Sequence, residues 1–344
     1  MRVLFIIHEL ALNGAVTALL RQARHMIARG DQVTVATPEL EGPAAALLPQ
    51  FQEAGIDVVR TVPWAQHDIT VGCTVFCGAV LHGCIGKTPT AWWIHEGRVG
   101  VTMLMSRPAA RNVLQNVGRL IFPSAGVVER LWSPLIGNLP PGRVEVIPPL
   151  VPPPPQVEPM PKTPGHARVV CVGSIYPRKR QVDLLRAVAM LRGVPVECVL
   201  IGPRVSLEAP GDDIVASDPQ RFILPGGQMP DEVHRWYRSA DVFSLPSGDE
   251  SMPISPIEAA QQNVPVVLTD LECYERIWRH GVNALIHPVG DVDMLAWYLR
   301  MLIESPRIRG RLVTAARSVA LRFSEQRAGA LFDAALAETV AAFR

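Results

Sequence analysis

The chain opens on an uninterrupted apolar run, Val3-Leu4-Phe5-Ile6-Ile7, and then changes period. Val16, Leu19, Leu20, Ala23, Met26 and Ile27 return at intervals of three and four. The run predicts a buried strand over 3–7, and the 3.6-residue period predicts an amphipathic helix over about 15–28, entered through a loop containing Asn13-Gly14. Gly30 stops the helix and a second strand follows over 32–36. Strand, helix and strand in this order make a right-handed crossover with parallel strands. Short apolar runs at 57–61, 70–76, 90–94, 119–122 and 144–147 continue the alternation, with 63–86 readable either way.

The pattern breaks at 148–161, where Pro152 to Pro155 form an unbroken proline run with further prolines at 148, 149, 159 and 161. Such a segment favours polyproline II and makes neither a helix nor a central strand. It then restarts: strand 169–172, loop 173–179, helix 181–191 and strand 196–201. Val182, Leu185, Val188 and Ala189 supply the buried helix face. A strand at 241–245, a helix at 256–262, a strand at 265–268 and helices opening near Asp291 and Pro306 complete this half. Two halves that each begin strand, loop, helix predict two Rossmann-like domains facing one another across a cleft. We place an N-terminal domain at 1–155, a C-terminal domain at 156–323, and a final helix at 324–344 with room to return to the first domain.

A length of 344 residues suits two domains, and 48% apolar against 19% charged residues gives both enough core to fold. The net charge of +1 argues against a nucleic-acid partner, while leaving room for a local basic site for a small phosphate ligand. The six cysteines lack zinc-ligand spacing and read as free thiols. Met1 leads straight into a strand, with no signal-peptide pattern, and no apolar stretch is long enough to span a membrane. The expected location is cytoplasmic, with weak peripheral contact at the inner face of the membrane left open.

Chemistry concentrates in Asp241-Val-Phe-Ser-Leu-Pro-Ser-Gly-Asp-Glu250-Ser-Met-Pro-Ile-Ser-Pro-Ile-Glu258-Ala-Ala. Ser255 as N-cap, Pro256 as first helical residue and Glu258 three after the cap predict a capping box. The helix start then follows a loop carrying Glu250, at the carboxyl end of a strand where open α/β sheets bind ligands. Spacing alone favours a plain reading: Glu258 caps its helix and Glu250 is a solvated carboxylate.

The segment nevertheless resembles the paired-glutamate motif of retaining GT-B glycosyltransferases of family 4: Glu, seven residues, Glu, then Ala. The resemblance implies that Glu250 binds donor-sugar hydroxyls and Glu258 the nucleotide ribose, with backbone N–H groups of Met252, Pro253's neighbour Ile254 and Ser255 meeting sugar and diphosphate. Val170-Cys-Val-Gly173-Ser-Ile-Tyr-Pro-Arg178-Lys179 looks like the family's strand, glycine turn and phosphate-binding cation. Val264-Pro-Val-Val-Leu-Thr-Asp270, Gly281-Val-Asn-Ala-Leu-Ile and Gly290-Asp291 extend the match over most of 168–300. Ser174 stands where the family usually carries a diphosphate arginine. Arg178 either substitutes for it or is a solvated loop arginine; Lys179 is assigned to the leaving phosphate.

The N-terminal match is looser. Asn13-Gly14 replaces a double glycine, with Gly14 still allowing close ligand approach. His95, after Trp92-Trp93-Ile94, is similar to the family's strand-end histidine facing the donor sugar; His8 is a lesser candidate, at the end of the first strand. Asp291-Val-Asp293 fits helix capping better than a metal site. No dinucleotide fingerprint, nucleophile elbow or phosphate-loop lysine motif is present.

These readings converge on a GT-B glycosyltransferase using a nucleotide diphosphate sugar, without a metal or other cofactor, on a glycan, lipid-linked or small-molecule acceptor. Two alternatives remain: a non-hydrolysing nucleotide-sugar epimerase, and a non-catalytic sugar-nucleotide-binding partner protein.

Overall fold

The computed structural model describes residues 1–137, 139–205 and 211–343; Arg344, the end of the expected final helix, lies outside them. The chain divides into two compact units. One comprises Met1–Pro152, Glu250–Met252 and Phe323–Arg344, and the other Pro153–Asp249 and Pro253–Arg322.

The first unit is a parallel sheet of β1 (Arg2–Ile6), β2 (Gln32–Ala36), β3 (Asp57–Val59), β4 (Ile69–Cys73), β5 (Thr90–Trp93), β6 (Arg119–Phe122) and β7 (Val144–Val146). The order is β3-β2-β1-β4-β5-β6-β7, and Phe5 pairs with Val35 on one side and Val71 on the other. The central strands β4, β5 and β6 have no solvent face and need no polar alternation, whereas the edge strands β3 and β7 are partly exposed. The helix Gly14–Ala28 starts one residue earlier than expected because the Asn13 side chain accepts the Val16 N–H at 3.0 Å. The expected strand at 70–76 ends at Cys73. Thr74 turns to φ +76°, and Val75 and Phe76 enter a short 3₁₀ turn instead.

The terminal segment packs on this unit. After a π-helical turn at Glu325–Gly329, the helix Ala330–Phe343 sets Phe332 against Trp93 at a ring separation of 4.8 Å and against Phe5 at 6.4 Å. Burying such a side chain contributes roughly 1.5–3 kcal/mol. Charges fasten the helix at both ends. His25 meets Glu325 through Nδ1 and Asp333 through Nε2, each at 2.8 Å, while buried Arg119 reaches Thr339 at 2.8 Å and Glu338 at 3.1 Å. Both imidazole nitrogens face carboxylate oxygens, an arrangement that favours the imidazolium. Burial opposes that charge, but the hydrogen bonds to Glu325 and Asp333 outweigh it and raise the pKa. A methyl group on Gly329 would stand 2.7 Å from His25 Nε2, so only glycine admits the ring. An open cavity of about 640 Å³ lies along this charged seam, lined by His25, Arg29, Glu325, Gln326, Ala330 and Asp333.

The second unit repeats the design with β8 (Ala167–Val172), β9 (Val196–Ile201), β10 (Phe222–Gly226), β11 (Val242–Leu245), β12 (Val266–Thr269) and β13 (Leu285–His287), all parallel in the order β10-β9-β8-β11-β12-β13. Arg168, at the start of β8, is buried. It pairs with buried Glu197, donates to Pro161 O at 2.6 Å and to Ser239 Oγ at 2.5 Å, and lies over the Trp236 ring at 4.9 Å. This cation ties the proline-rich segment to the strand it precedes. All six cysteines are buried and outside any disulfide, and burial pushes the Cys77 thiol up to about 12. No helix among the described residues is long and apolar enough to cross a membrane.

Candidate active site

In the second sheet β8 and β11 are neighbours, and the chain leaving their carboxyl ends carries the residues singled out from the sequence, of which Glu250 and Met252 are counted with the first unit. Gly173 ends β8 in a conformation open to glycine, φ +154°, and a methyl group on it would stand 3.7 Å from Lys179 Nζ. The Lys179 ammonium is therefore folded back over the glycine turn, delivered by the 3₁₀ turn Pro177–Lys179. Gln181 Nε2 donates to Ser174 O at 2.9 Å and fixes the turn from below.

Arg178 faces the other way. Its guanidinium donates to the Asp249 carbonyl and the Tyr176 hydroxyl and lies 5.2 Å from the Tyr176 ring centre, while Gly248 N–H donates to Arg178 O at 2.9 Å. It thus braces the loop that carries Glu250, a role that neither sequence reading anticipated. Arg180, which the sequence reading passed over, adopts the left-handed conformation at φ +51°, rare for a residue with a side chain. Its Nε donates to Asp183 at 2.6 Å, and its side chain runs past Gly248 and Gly290, where methyl groups would meet it at 3.3 and 3.0 Å. Three consecutive cations thus serve three different neighbours.

Glu250, Ser251, Met252, Ser255 and Glu258 are all buried, with Pro253 and Ile254 partly so. The solvated-carboxylate reading of Glu250 is accordingly wrong. So is the capping box: the helix Ser255–Gln261 begins at Ser255 itself, follows Ile254 in helical conformation, and has no side-chain cap hydrogen bond. With Ser255 already inside the helix its hydroxyl is out of register for the cap, and the Glu258 carboxylate instead accepts the hydroxyl of fully buried Tyr237 at 3.1 Å. Tyr237 lies in the helix Pro230–Ser239, which no sequence motif marks. Among the described residues the buried Ser251 hydroxyl has no hydrogen-bond partner.

In the first unit, His95 follows β5 and packs against Trp93 at a ring separation of 4.3 Å, the two rings tilted by 50°. Its Nε2 is buried without a partner, and burial holds its pKa down to about 3. The ring is therefore neutral near pH 7 and carries hydrogen-bonding capacity without charge. Glu96 arranges the strand ends here, its Oε2 accepting the N–H groups of Val75 and His95, each at 3.1 Å. Gly14 opens the first helix, with nothing within 4 Å of a methyl group built on it. Asp291 caps its helix by accepting Met294 N–H at 2.9 Å, and among the described residues no group of three His, Cys, Asp or Glu stands together as a metal-ligand set.

Residues 157–319 match the family model of the glycosyl transferases group 1, and residues 1–134 that of glycosyl-transferase family 4. The chain belongs to this glycosyltransferase family. Among the relatives of this family-4 chain, a D-inositol 3-phosphate glycosyltransferase of Saccharomonospora viridis is 34% identical over 188 residues, 50% of this chain and 43% of that protein. The lipopolysaccharide core biosynthesis glycosyltransferase LpsE of Rhizobium meliloti is 31% identical over 152 residues, 44% of each. The chain thus matches less than half the length of these relatives. Among solved structures, HepE of Anabaena in complex with UDP-glucose superposes with a TM-score of 0.78 at 17% identity, covering 99% of this chain and 100% of that one. A sucrose-phosphate synthase of Thermosynechococcus elongatus gives 0.81 at 15% identity, with 99% and 100% covered. At these identities the structural likeness speaks for the GT-B fold, two parallel Rossmann-like domains, and for the fold alone.

Proposed function

We propose that the protein transfers a sugar from a nucleotide diphosphate donor to a hydroxylated acceptor with retention of configuration. The second unit holds the donor and the first the acceptor. The observation that carries this reading is the arrangement at the carboxyl ends of β8 and β11: the Lys179 ammonium over Gly173, Arg178 joining the two loops through the Asp249 carbonyl, and buried Glu258 in the helix that follows. In this reading Glu258 accepts a ribose hydroxyl, with Tyr237 orienting it, and Glu250 accepts donor-sugar hydroxyls. Lys179, with backbone N–H groups around Met252 to Ser255, stabilises negative charge that grows on the diphosphate as the glycosidic bond breaks. Arg178 serves by holding the Glu250 loop. His95 donates or accepts one hydrogen bond at the transferred sugar. A phosphate oxygen of the donor takes the acceptor proton, so no separate general base is required, and the phosphate charge is met without a divalent metal. Several relatives and neighbours are named for sugar transfer or bind UDP-glucose, which makes uridine donors the first to try.

The test incubates purified protein with UDP, GDP, ADP and TDP sugars, with and without cell-extract acceptors, each in magnesium and in excess EDTA. Glycosylated product that persists in EDTA and retains the anomeric configuration supports the reading. Isomerised donor without product indicates an epimerase, and nucleotide-sugar binding without turnover indicates a partner protein, the outcome to which Ser174 in place of a diphosphate arginine points.

A further inference from the structure

In the first sheet the chain runs from β1 outwards through β2 and β3, then returns to the other side of β1 with β4 and continues to β7. The β1/β4 boundary is therefore the topological switch point, where the loops diverge and leave a crevice at the carboxyl ends of the strands. His8 follows β1 and Thr74 follows β4, and the two side chains meet across the boundary, His8 Nδ1 to Thr74 Oγ1 at 3.1 Å.

Thr74 is held in a conformation that β-branched residues avoid, φ +76° with ψ 159°, a region populated almost only by glycine. Three contacts impose it. Thr74 N–H donates to Trp93 O at 2.9 Å, Thr74 O accepts Trp92 Nε1–H at 2.8 Å, and the hydroxyl engages His8. Glycine would relieve the strain but would leave His8 without an anchor.

Around the anchored ring stand two further groups. The Phe76 ring lies 4.5 Å from His8 and is 43% exposed. Glu9 Oε1 accepts Asn13 Nδ2 at 3.0 Å and lies 3.6 Å from His8 Nε2. That separation is too long for a direct hydrogen bond, yet one inserted hydroxyl can accept from Nε2–H and donate to the carboxylate. Burial lowers the His8 pKa against the opposing pull of Glu9, which leaves the ring a neutral hydrogen-bonding group. A carboxylate, a neutral imidazole and an exposed aromatic face suit a polyhydroxylated ring with an apolar C–H face, and the carboxylate disfavours an anion.

We propose that the β1/β4 crevice is the acceptor subsite and that it takes an uncharged sugar or cyclitol ring, with one ring hydroxyl bridging His8 Nε2 and Glu9 and the Phe76 face against the ring. Thr74 is the positioning residue for His8. This rests on the transferase reading above and narrows its acceptor class to neutral polyols.

The experiment uses the full chain and ligand-observed saturation-transfer NMR with methyl α-glucoside, methyl α-galactoside and myo-inositol, against glucose 6-phosphate and inorganic phosphate. Calorimetry of nucleoside diphosphates runs in parallel. Wild-type protein is expected to transfer saturation to at least one neutral ring and to neither phosphate. Glu9→Gln and Phe76→Ala each weaken that neutral ligand at least tenfold and leave diphosphate affinity within twofold. Thr74→Val abolishes the signal and Thr74→Ser restores it, which separates the hydroxyl anchor from general packing. Stronger signals from the phosphates, no neutral ligand on wild-type protein, or unchanged binding in Glu9→Gln and Phe76→Ala each overturn the subsite. Failure to bind any nucleotide or to turn over any nucleotide sugar overturns the transferase reading instead.

Discussion

Replacing Glu258 by glutamine separates the ribose role from a purely structural one. The carboxylate is 6% exposed and accepts one hydrogen bond from Tyr237 at 3.1 Å. Glutamine preserves size and one acceptor but removes the charge. A charge-assisted hydrogen bond contributes about 1.5–3 kcal/mol, so the loss at a ribose hydroxyl is about 1–3 kcal/mol, a five- to 150-fold rise in the Kd of the nucleoside diphosphate. Tyr237→Phe is the control. It leaves the carboxylate in place and removes only its orienting donor, at a stability cost of about 1–2 kcal/mol, with a change in nucleotide affinity of about threefold or less. Calorimetric titration of the diphosphate and thermal unfolding of both variants give four numbers. Glu258→Gln should dominate in affinity and Tyr237→Phe should appear mainly in stability. If Glu258→Gln unfolds earlier yet binds the nucleotide as tightly as wild type, Glu258 is a packing residue and the ribose assignment fails.

Lys179→Ala should lower turnover far more than it weakens donor binding, because its charge matters most when the diphosphate departs; equal losses in both, by steady-state kinetics beside calorimetry, would place it in ground-state binding only. His95→Ala should leave diphosphate affinity unchanged and reduce transfer. His95 also contributes stability that is fully present above its unfolded pKa of 6.5 and lost as pH falls towards about 3, so His95→Gln should flatten that acid limb in unfolding titrations. Arg168→Met leaves Glu197 buried without its cation and should cost about 3–5 kcal/mol, whereas replacing both by apolar residues should recover most of it; denaturant midpoints decide. The His25 pKa is raised, so its contribution is complete below 6.5 and is lost as pH rises through the folded value; thermal scans from pH 6 to 9 should show this loss in wild type and not in His25→Gln.

The sheets were legible because parallel strands covered on both faces are written as plain apolar runs, and β1, β2 and β8 fall where Val3, Val33 and Val169 predict them. The Asn13 and Asp291 caps follow from one local side-chain bond each, which a few residues of sequence contain. What local sequence could not reveal depends on distant partners. Nothing beside Glu258 announces that Tyr237, in another helix, will claim its carboxylate, and so the capping box failed. The bracing role of Arg178 is set by the Asp249 carbonyl, far along the chain, and its charge alone suggested phosphate. The end of β4 was misplaced because Val75 and Phe76 have strong strand propensity, and only the contacts that trap Thr74 override it. Arg180 escaped notice for a related reason: a left-handed arginine has no compositional signature, unlike glycine.

The terminal helix also bears on how the protein is made. Phe332, Ala335 and Leu336 complete a core whose other buried members lie between Val3 and Ile147; His25 finds Glu325 and Asp333 on that same late segment, and Arg119 finds Glu338 there in addition to Glu145. During synthesis, the first sheet emerges from the ribosome without the apolar side chains of the terminal helix and without the two carboxylates that meet His25, while Arg119 already has Glu145, and it stays so while the whole second unit is translated. The second unit, contiguous apart from three residues, has every strand of its sheet in hand before the closing helix appears. The nascent chain therefore matures out of sequence order, and the first unit spends its unfinished interval as the natural client for a chaperone.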